Sequence, residues 1–348
     1  MIGNIEDMNT YYLGPFPPAY GGVTIKNQNL YIALRDNIQI DKIDFSEIKR
    51  KNIQEAIKLI KALLNPNSRF VVGVAGKNTR KYFSKLLYLL NRKAMEKSII
   101  MIMGGSAAND IAEDSEFTKY VSTYKKIYVE TTGMIDRLKQ VGLTNVGYYP
   151  NGRFTPMHLN AKESSDSNKF KCVFFSLIQP EKGVDIIIET ARQLPKIEFV
   201  FYGVIDEKYK AEFETCCTEL NNVSYKGIFS GSAEEVYSEL QQYDILLLPK
   251  RGKAEGVPGV LIEAKIAGVP AIVSNHNYNA EIVTDQYDGI VMQELTANCL
   301  KRSICSLVTN PTMQKNMSMN AQIAAEKYYI EKYIDELVEE VGGKDDQK

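Results

Sequence analysis

Histidine is nearly absent from this chain, with only His158 and His276 among 348 residues. The five cysteines, Cys172, Cys216, Cys217, Cys299 and Cys305, all fall in the second half, and no two are spaced as C-x-x-C. A zinc site needs clustered Cys and His ligands, and a disulfide framework belongs to short secreted chains. Both are excluded, and the thiols read as buried structural residues. No run approaches the roughly 18 uninterrupted apolar residues of a membrane-spanning helix. The start, MIGNIEDMNTYYLG, lacks a basic segment followed by an apolar one, so a cytosolic location is expected. Internal repeats and low-complexity tracts are also missing. What remains is the composition of a soluble globular protein, 44% hydrophobic and 24% charged, with a net charge of −1.

That near-zero charge hides an asymmetry. Residues 1–150 carry 21 Lys+Arg against 14 Asp+Glu, while the remainder carries 21 against 29. Length alone suggests two domains, at roughly 100–200 residues each. In the first half, strand patterns at 10–13, 69–74, 98–103, 126–130 and 145–149 alternate with helical patterns at 23–35, 46–64, 78–96 and 131–141. A polar linker, HLNAKESSDSNKF (158–170), follows. Then come strands at 171–176, 197–203, 223–227, 244–249, 270–274 and 288–292, with helices near 183–194, 206–220, 232–242, 259–268 and 296–308. Strands apolar on both faces and separated by helices predict a parallel sheet covered on both sides, once in each half. Residues 311–342 read as helical, and the tail GGKDDQK as frayed.

The sharpest local feature is EGVPGVLIEAKIAGVP (255–270), which follows the near-continuous apolar strand DILLLP. A helix that begins after a buried parallel strand presents free backbone N–H groups and a partial positive charge, which suit a phosphate. Gly256 and Gly259 permit close approach, and Pro258 presets the turn into the helix. Glu255 just outside the helix and Glu263 one turn inside can each accept two hydrogen bonds from a vicinal diol. The plainer reading is that Gly and Pro simply start a helix whose dipole favours a nearby acid.

With its E-x7-E spacing and closing Ala-x-x-x-Gly-x-Pro, this stretch resembles the signature of retaining family-4 glycosyltransferases. Three further segments resemble that family in the same order: GPFPPAYGGVTIKN (14–27), NVGYYPNGR (145–153) and FFSLIQPEKGVDIIIETARQL (174–194). Together they span nearly the whole chain. The resemblance implies the GT-B fold, in which two Rossmann-like doubly wound domains face each other across a cleft and the C-terminal helix crosses back. It divides the chain into an acceptor-side domain (1–157), a nucleotide-sugar domain (158–326) and a crossover helix with tail (327–348).

It also implies roles for residues. Glu263 would hold the ribose hydroxyls of a nucleotide sugar, and Glu255 would meet the transferred hexose. Gly259, Val260 and Leu261, preceded by Gly256, Val257 and Pro258, would offer backbone N–H groups to the diphosphate. Lys182 would meet the phosphates as a point charge, with Ser176 beside it and Ile228 near the base. Gly21 and Gly22 would bring backbone close to donor or acceptor from the other domain. The catalytic assignment rests on Glu255 and Lys182; no metal ligand and no cofactor is expected, since the nucleotide sugar is a substrate. Implied with it are retention at the anomeric carbon, a UDP-sugar donor, and a saccharide or lipid-linked acceptor of bacterial surface polysaccharide synthesis.

Two departures from the family stand out. An arginine usual before the Lys-Gly turn is replaced by Leu177, and Lys250, Arg251 or Lys253 are the candidate substitutes. The histidine usual in the first domain has no counterpart in MGGSAAND (103–110), where Asn109 or Asp110 are the alternatives. GKNTRKYFSKLLYLLNRKAMEK (76–97) reads as a basic amphipathic helix, suited either to an anionic membrane surface or to packing on the sheet. No nucleic-acid-reading module is present. The rival readings are a sugar-nucleotide epimerase of the same fold and a non-catalytic sugar-nucleotide binder.

Overall fold

The computed structural model describes residues 9–18, 21–159, 169–251, 256–276 and 278–342. The chain forms two compact units, one built from residues 1–155 and 328–348, the other from 156–327.

The first unit contains β1 (Thr10–Gly14), α1 (Gly22–Arg35), β2 (Asp41–Asp44), α2 (Phe45–Lys49), α3 (Ile53–Leu64), β3 (Arg69–Val72) and α4 (Lys77–Leu90). It continues through α5 (Arg92–Glu96), β4 (Ile99–Ile102), α6 (Ala107–Ala112), α7 (Ser115–Val121), β5 (Lys126–Val129), α8 (Thr132–Lys139) and β6 (Val146–Tyr148). Its six strands are all parallel, in the order β2-β1-β3-β4-β5-β6.

The second unit contains β7 (Lys171–Phe175), α9 (Val184–Gln193), β8 (Glu198–Tyr202), α10 (Lys210–Glu219), β9 (Val223–Tyr225), α11 (Ala233–Leu240) and β10 (Ile245–Leu248). After these come α12 (Gly259–Ile266), β11 (Ala271–Ser274), α13 (Asn279–Ile282), β12 (Gly289–Met292), α14 (Ala297–Val308) and α15 (Pro311–Ala325). Here too the sheet is parallel and six-stranded, ordered β12-β11-β10-β7-β8-β9.

The central strands are buried along their length: IIMI, ILLL and AIVS show no exposed position, as their apolar runs predict, and in RFVV the Arg69 at the start is buried too, donating to Val341 O at 3.1 Å. Two of the expected helices are broken. The pattern at 46–64 divides into α2 and α3, because the Asn52 side chain accepts from the N–H groups of Gln54 and Glu55 and starts a new helix. Asn91 divides 78–96 in the same way, capping Ala94 N–H while its amide donates to the carbonyls of Leu63 and Asn65. Strand β2 escaped sequence reading because DKID, at the sheet edge, has no apolar alternation.

The last helix, α16 (Ile334–Gly342), belongs to the first unit. Leu337 and Val341 enter the core around Tyr12, Phe16, Val71 and Tyr128. Tyr128 OH donates to Glu336, and the Lys125 ammonium meets the Glu340 carboxylate at 3.0 Å. The chain therefore closes on the domain in which it began.

Candidate functional site

In an open parallel sheet, ligands bind at the carboxyl ends of the strands where the order reverses. In the second unit that point lies between β7 and β10. The chain leaving β7 makes a single 3-10 turn at Pro180–Lys182 and enters α9 through Gly183, whose φ is +79°. A Cβ at Gly183 would lie 2.0 Å from the carbonyl oxygen of Pro249, the residue just past β10, so the Lys-Gly turn is pressed against the chain leaving the neighbouring strand.

Arg251 locks this contact. Its N–H donates to Glu181 O at 2.8 Å, and its guanidinium donates to Pro180 O and to both carboxylate oxygens of Asp185, each at 2.7 Å. A bidentate fork of this kind fixes geometry more than stability, because both partners are substantially solvated. Of the three candidate substitutes for the family arginine, Arg251 is thus engaged in bracing the turn that carries Lys182. Lys250 is buried, and its carbonyl accepts from Ser274 Oγ at 2.6 Å. Lys253 and Glu255 lie outside the described residues. Lys182 itself is half-buried.

Opposite this turn begins α12. Pro258 is its extended N-cap, Gly256 and Val257 are buried before it, and Gly259 and Val260 are half-buried. Leu261 N–H turns back to Pro258 O at 3.1 Å, while the N–H groups of Gly259 and Val260 have no acceptor within the helix. Glu263 follows one turn later, half-buried. The helix is anchored from behind by Lys265, whose ammonium lies 2.5 Å from Asp288 with both side chains buried. Burial pulls the Lys265 pKa down against the opposing pull of Asp288.

Ser176 and Ile228 sit at the same end of the sheet, after β7 and β9. Ser176 N–H donates to Tyr202 O at 3.1 Å, and its own carbonyl lies where a Cβ on Gly203 would be, at 1.9 Å. Ile228 is 65% exposed. Next to it, Phe229 packs on Phe175 and Tyr202, which stack with centroids 5.1 Å apart at the ends of β7 and β8. Sequence reasoning missed this aromatic group and Asp185; paired aromatics ending successive strands were the available signal.

In the first unit the order reverses between β1 and β3. Asn27 fills the space between them, donating to the carbonyls of Pro15 and Gly73 and accepting from Tyr12 OH. Gly21 is extended at the start of α1, and a Cβ placed on it or on Gly22 would meet nothing within 4 Å among the described residues. No packing among the described residues demands glycine at either position, and Gly21 serves as the N-cap of α1.

Beside α1, Lys26, Met101, Ile102, Met103, Tyr128, Glu130, Tyr149, Pro150 and Gly152 line a small, partly open cavity. Lys26 and Glu130 form a buried ion pair within it, and Glu130 Oε2 has no hydrogen-bond partner among the described residues. Arg80, fully buried, donates to Met103 O at 2.8 Å; desolvation brings its pKa down to about 10, against the pull of Asp110 and Glu130. Lys26 and Glu130 did not stand out in the sequence, and Arg80 was read there only as one of the cations of 76–97. Asn109 accepts from Arg137 at 2.9 Å, and Asp110 meets Ser106 and Lys77.

Two doubly wound parallel domains in one chain define the GT-B class of fold. The fold is shared with HepE of Anabaena, solved in complex with UDP, at a TM-score of 0.74 and 14% identity over 96% of this chain and 100% of that one. Residues 158–324, just under half of the chain, match the family model for glycosyl transferases group 1. Over 163 residues the chain is 29% identical to an uncharacterized glycosyltransferase of Methanocaldococcus jannaschii, covering 47% of this chain and 45% of that one. Over 149 residues it is 29% identical to the N,N'-diacetylbacillosaminyl-diphospho-undecaprenol alpha-1,3-N-acetylgalactosaminyltransferase of Campylobacter jejuni, covering 42% and 38%. These matches span less than half of either relative's length.

Proposed function

We propose that the protein is a retaining, metal-independent glycosyltransferase that moves a hexose from a UDP-sugar to a saccharide acceptor carried on a lipid, in surface polysaccharide assembly. The carrying observation is the crevice between β7 and β10, where the Arg251–Asp185 fork ties the Lys182 turn to the chain leaving β10, upstream of α12, within the segment that matches the group 1 glycosyltransferase model. Departure of a nucleoside diphosphate is the difficult step, because charge grows on its oxygens. Lys182 and the N–H groups of Gly259 and Val260 are fixed donors for that charge, which is where electrostatic catalysis is most effective. Glu263, one turn into the helix, takes the ribose diol, and Glu255 the transferred sugar. UDP in the HepE structure and the diphospho-undecaprenol acceptor in the Campylobacter enzyme's name support the choice of donor and carrier.

Calorimetric titration with UDP, GDP and ADP, followed by assay of UDP-sugar hydrolysis with and without EDTA, tests the reading. Binding of UDP with turnover unaffected by EDTA is expected. Lys182→Ala should lower turnover by about a hundredfold, the scale of one lost oxyanion donor. Glu263→Ala should weaken UDP with little change in stability. UDP binding without turnover of any donor would make the protein a binder, and inversion at the anomeric carbon would remove the retaining assignment.

A further inference from the structure

The sequence left 76–97 as a basic amphipathic helix for either an anionic membrane surface or the sheet. The fold redistributes those charges: Lys81 pairs with Asp114 at 2.7 Å and Glu116 at 3.1 Å, Lys85 with Glu116 at 3.2 Å, and Arg80 is buried. Past Lys77 and Asn78 at its start, the residues that α4 leaves exposed are apolar. Tyr82, Leu86, Leu89 and Leu90 are exposed on it, and Ile53, Ile57, Ile60 and Leu64 on its neighbour α3, at 41% to 72% of their full surface. The α3 set is spaced i, i+4, i+7, i+11 and the α4 set i, i+4, i+7, i+8. At about 100° per residue the first spans about 60° of its helix and the second about 100°. Each helix spends its other face on the domain, α3 through Ala62 and Leu63, α4 through Phe83 and Leu87.

A monomeric soluble protein seldom leaves two such stripes on adjacent helices without a partner. Charge identifies the partner. Residues 45–97 contain 13 Lys+Arg and three Asp+Glu; of the cations, Arg69 and Arg80 are buried and Lys58, Lys77, Lys81 and Lys85 meet acids of the same domain, which leaves seven at the surface. Lys49, Arg50 and Lys51 precede α3, Lys61 lies on it, and Arg92, Lys93 and Lys97 follow α4, all exposed. A second copy would set this basic surface against itself, which like-charge repulsion opposes. An anionic lipid surface satisfies both features, taking the apolar side chains into its headgroup boundary and the cations against its phosphates. No helix among the described residues is long and apolar enough to cross a membrane, so the contact is lateral.

We propose that the α3–α4 face docks the protein on an anionic bilayer, with α3 supplying half of the inserted surface. Arg80, less than one turn from Tyr82 on α4, bonds the carbonyl of Met103 in the wall of the first-unit cavity. If the transferase reading holds, the docked face thus adjoins the end of the domain where a lipid-borne acceptor would enter; docking itself does not depend on that reading.

The test is co-sedimentation of the full chain with vesicles of phosphatidylcholine alone or mixed equally with phosphatidylglycerol, with no nucleotide sugar present. Pelleting with the anionic vesicles only, reversed by high salt, is expected. Ile57→Glu with Ile60→Glu, and separately Leu86→Glu with Leu89→Glu, should each lower the bound fraction at least about tenfold while circular dichroism and melting stay as in the parent. Lys61→Gln, Lys93→Gln and Lys97→Gln together should lower it roughly a hundredfold, at about fivefold per cation. Failure to pellet, pelleting that the glutamate variants leave intact, or a solution dimer that those variants dissolve would each overturn the proposal. Loss of UDP binding, by contrast, would overturn only the transferase reading.

Discussion

Substitution of Gly183 by Ala isolates what holds the Lys182 turn in place. Two costs apply, and the structure separates them. At φ +79° the backbone lies in the left-handed region, where a non-glycine residue costs roughly 1–2 kcal/mol, offset by about 0.4–1 kcal/mol from stiffening the unfolded chain. A Cβ there would also lie 2.0 Å from Pro249 O and 2.7 Å from Pro249 C, against 3.4 Å for ordinary contact. Relieving that overlap moves the turn or the chain after β10, a displacement on the scale of overpacked cores at about 1–3 kcal/mol. The total expected for Gly183→Ala is about 1–5 kcal/mol, centred near about 3. Gly227, in the same domain with φ +82° and nothing within 4 Å of its Cβ position, carries only the first cost. Gly227→Ala should therefore lose about 1 kcal/mol. Urea unfolding followed by circular dichroism, compared at matched m-values, measures both. Equal destabilisation of the two variants would refute the claim that the turn is wedged against β10. UDP affinity should fall in Gly183→Ala and hold in Gly227→Ala.

Two other outcomes follow from charge placement. Lys265→Ala leaves Asp288 buried without its cation and should cost about 3–5 kcal/mol, whereas Lys265→Met with Asp288→Leu should recover most of that loss, as thermal melts of the two variants would show. Glu116 accepts from Tyr120, Lys81 and Lys85, which lower its pKa from 4.5 to about 2. Its stabilising contribution is thus present above its unfolded value and lost as pH falls from about 4.5 toward about 2, so the melting difference between the parent and Glu116→Gln should shrink across that window.

The sequence by itself determined the two parallel sheets, because strands such as ILLL and IIMI, apolar on both faces and separated by amphipathic helices, have few other ways to bury themselves. It also determined the start of α12 and the Lys-Gly turn, since Gly and Pro act on the local backbone. Helix breaks at Asn52 and Asn91 were legible in principle, yet their capping bonds compete with an uninterrupted apolar period that reads as one helix. Tertiary structure alone decided the partners of charged groups. Arg251 finds Asp185, which is 66 positions away, Lys26 finds Glu130 across 104, and Lys81 finds the acids of α7. No local rule encodes such pairings, because they depend on which strands become neighbours and on how the intervening helices pack. The same packing decided which apolar faces were covered. Ile57 and Leu63 are alike in sequence, but only the fold turns Leu63 inward and leaves Ile57 in solvent.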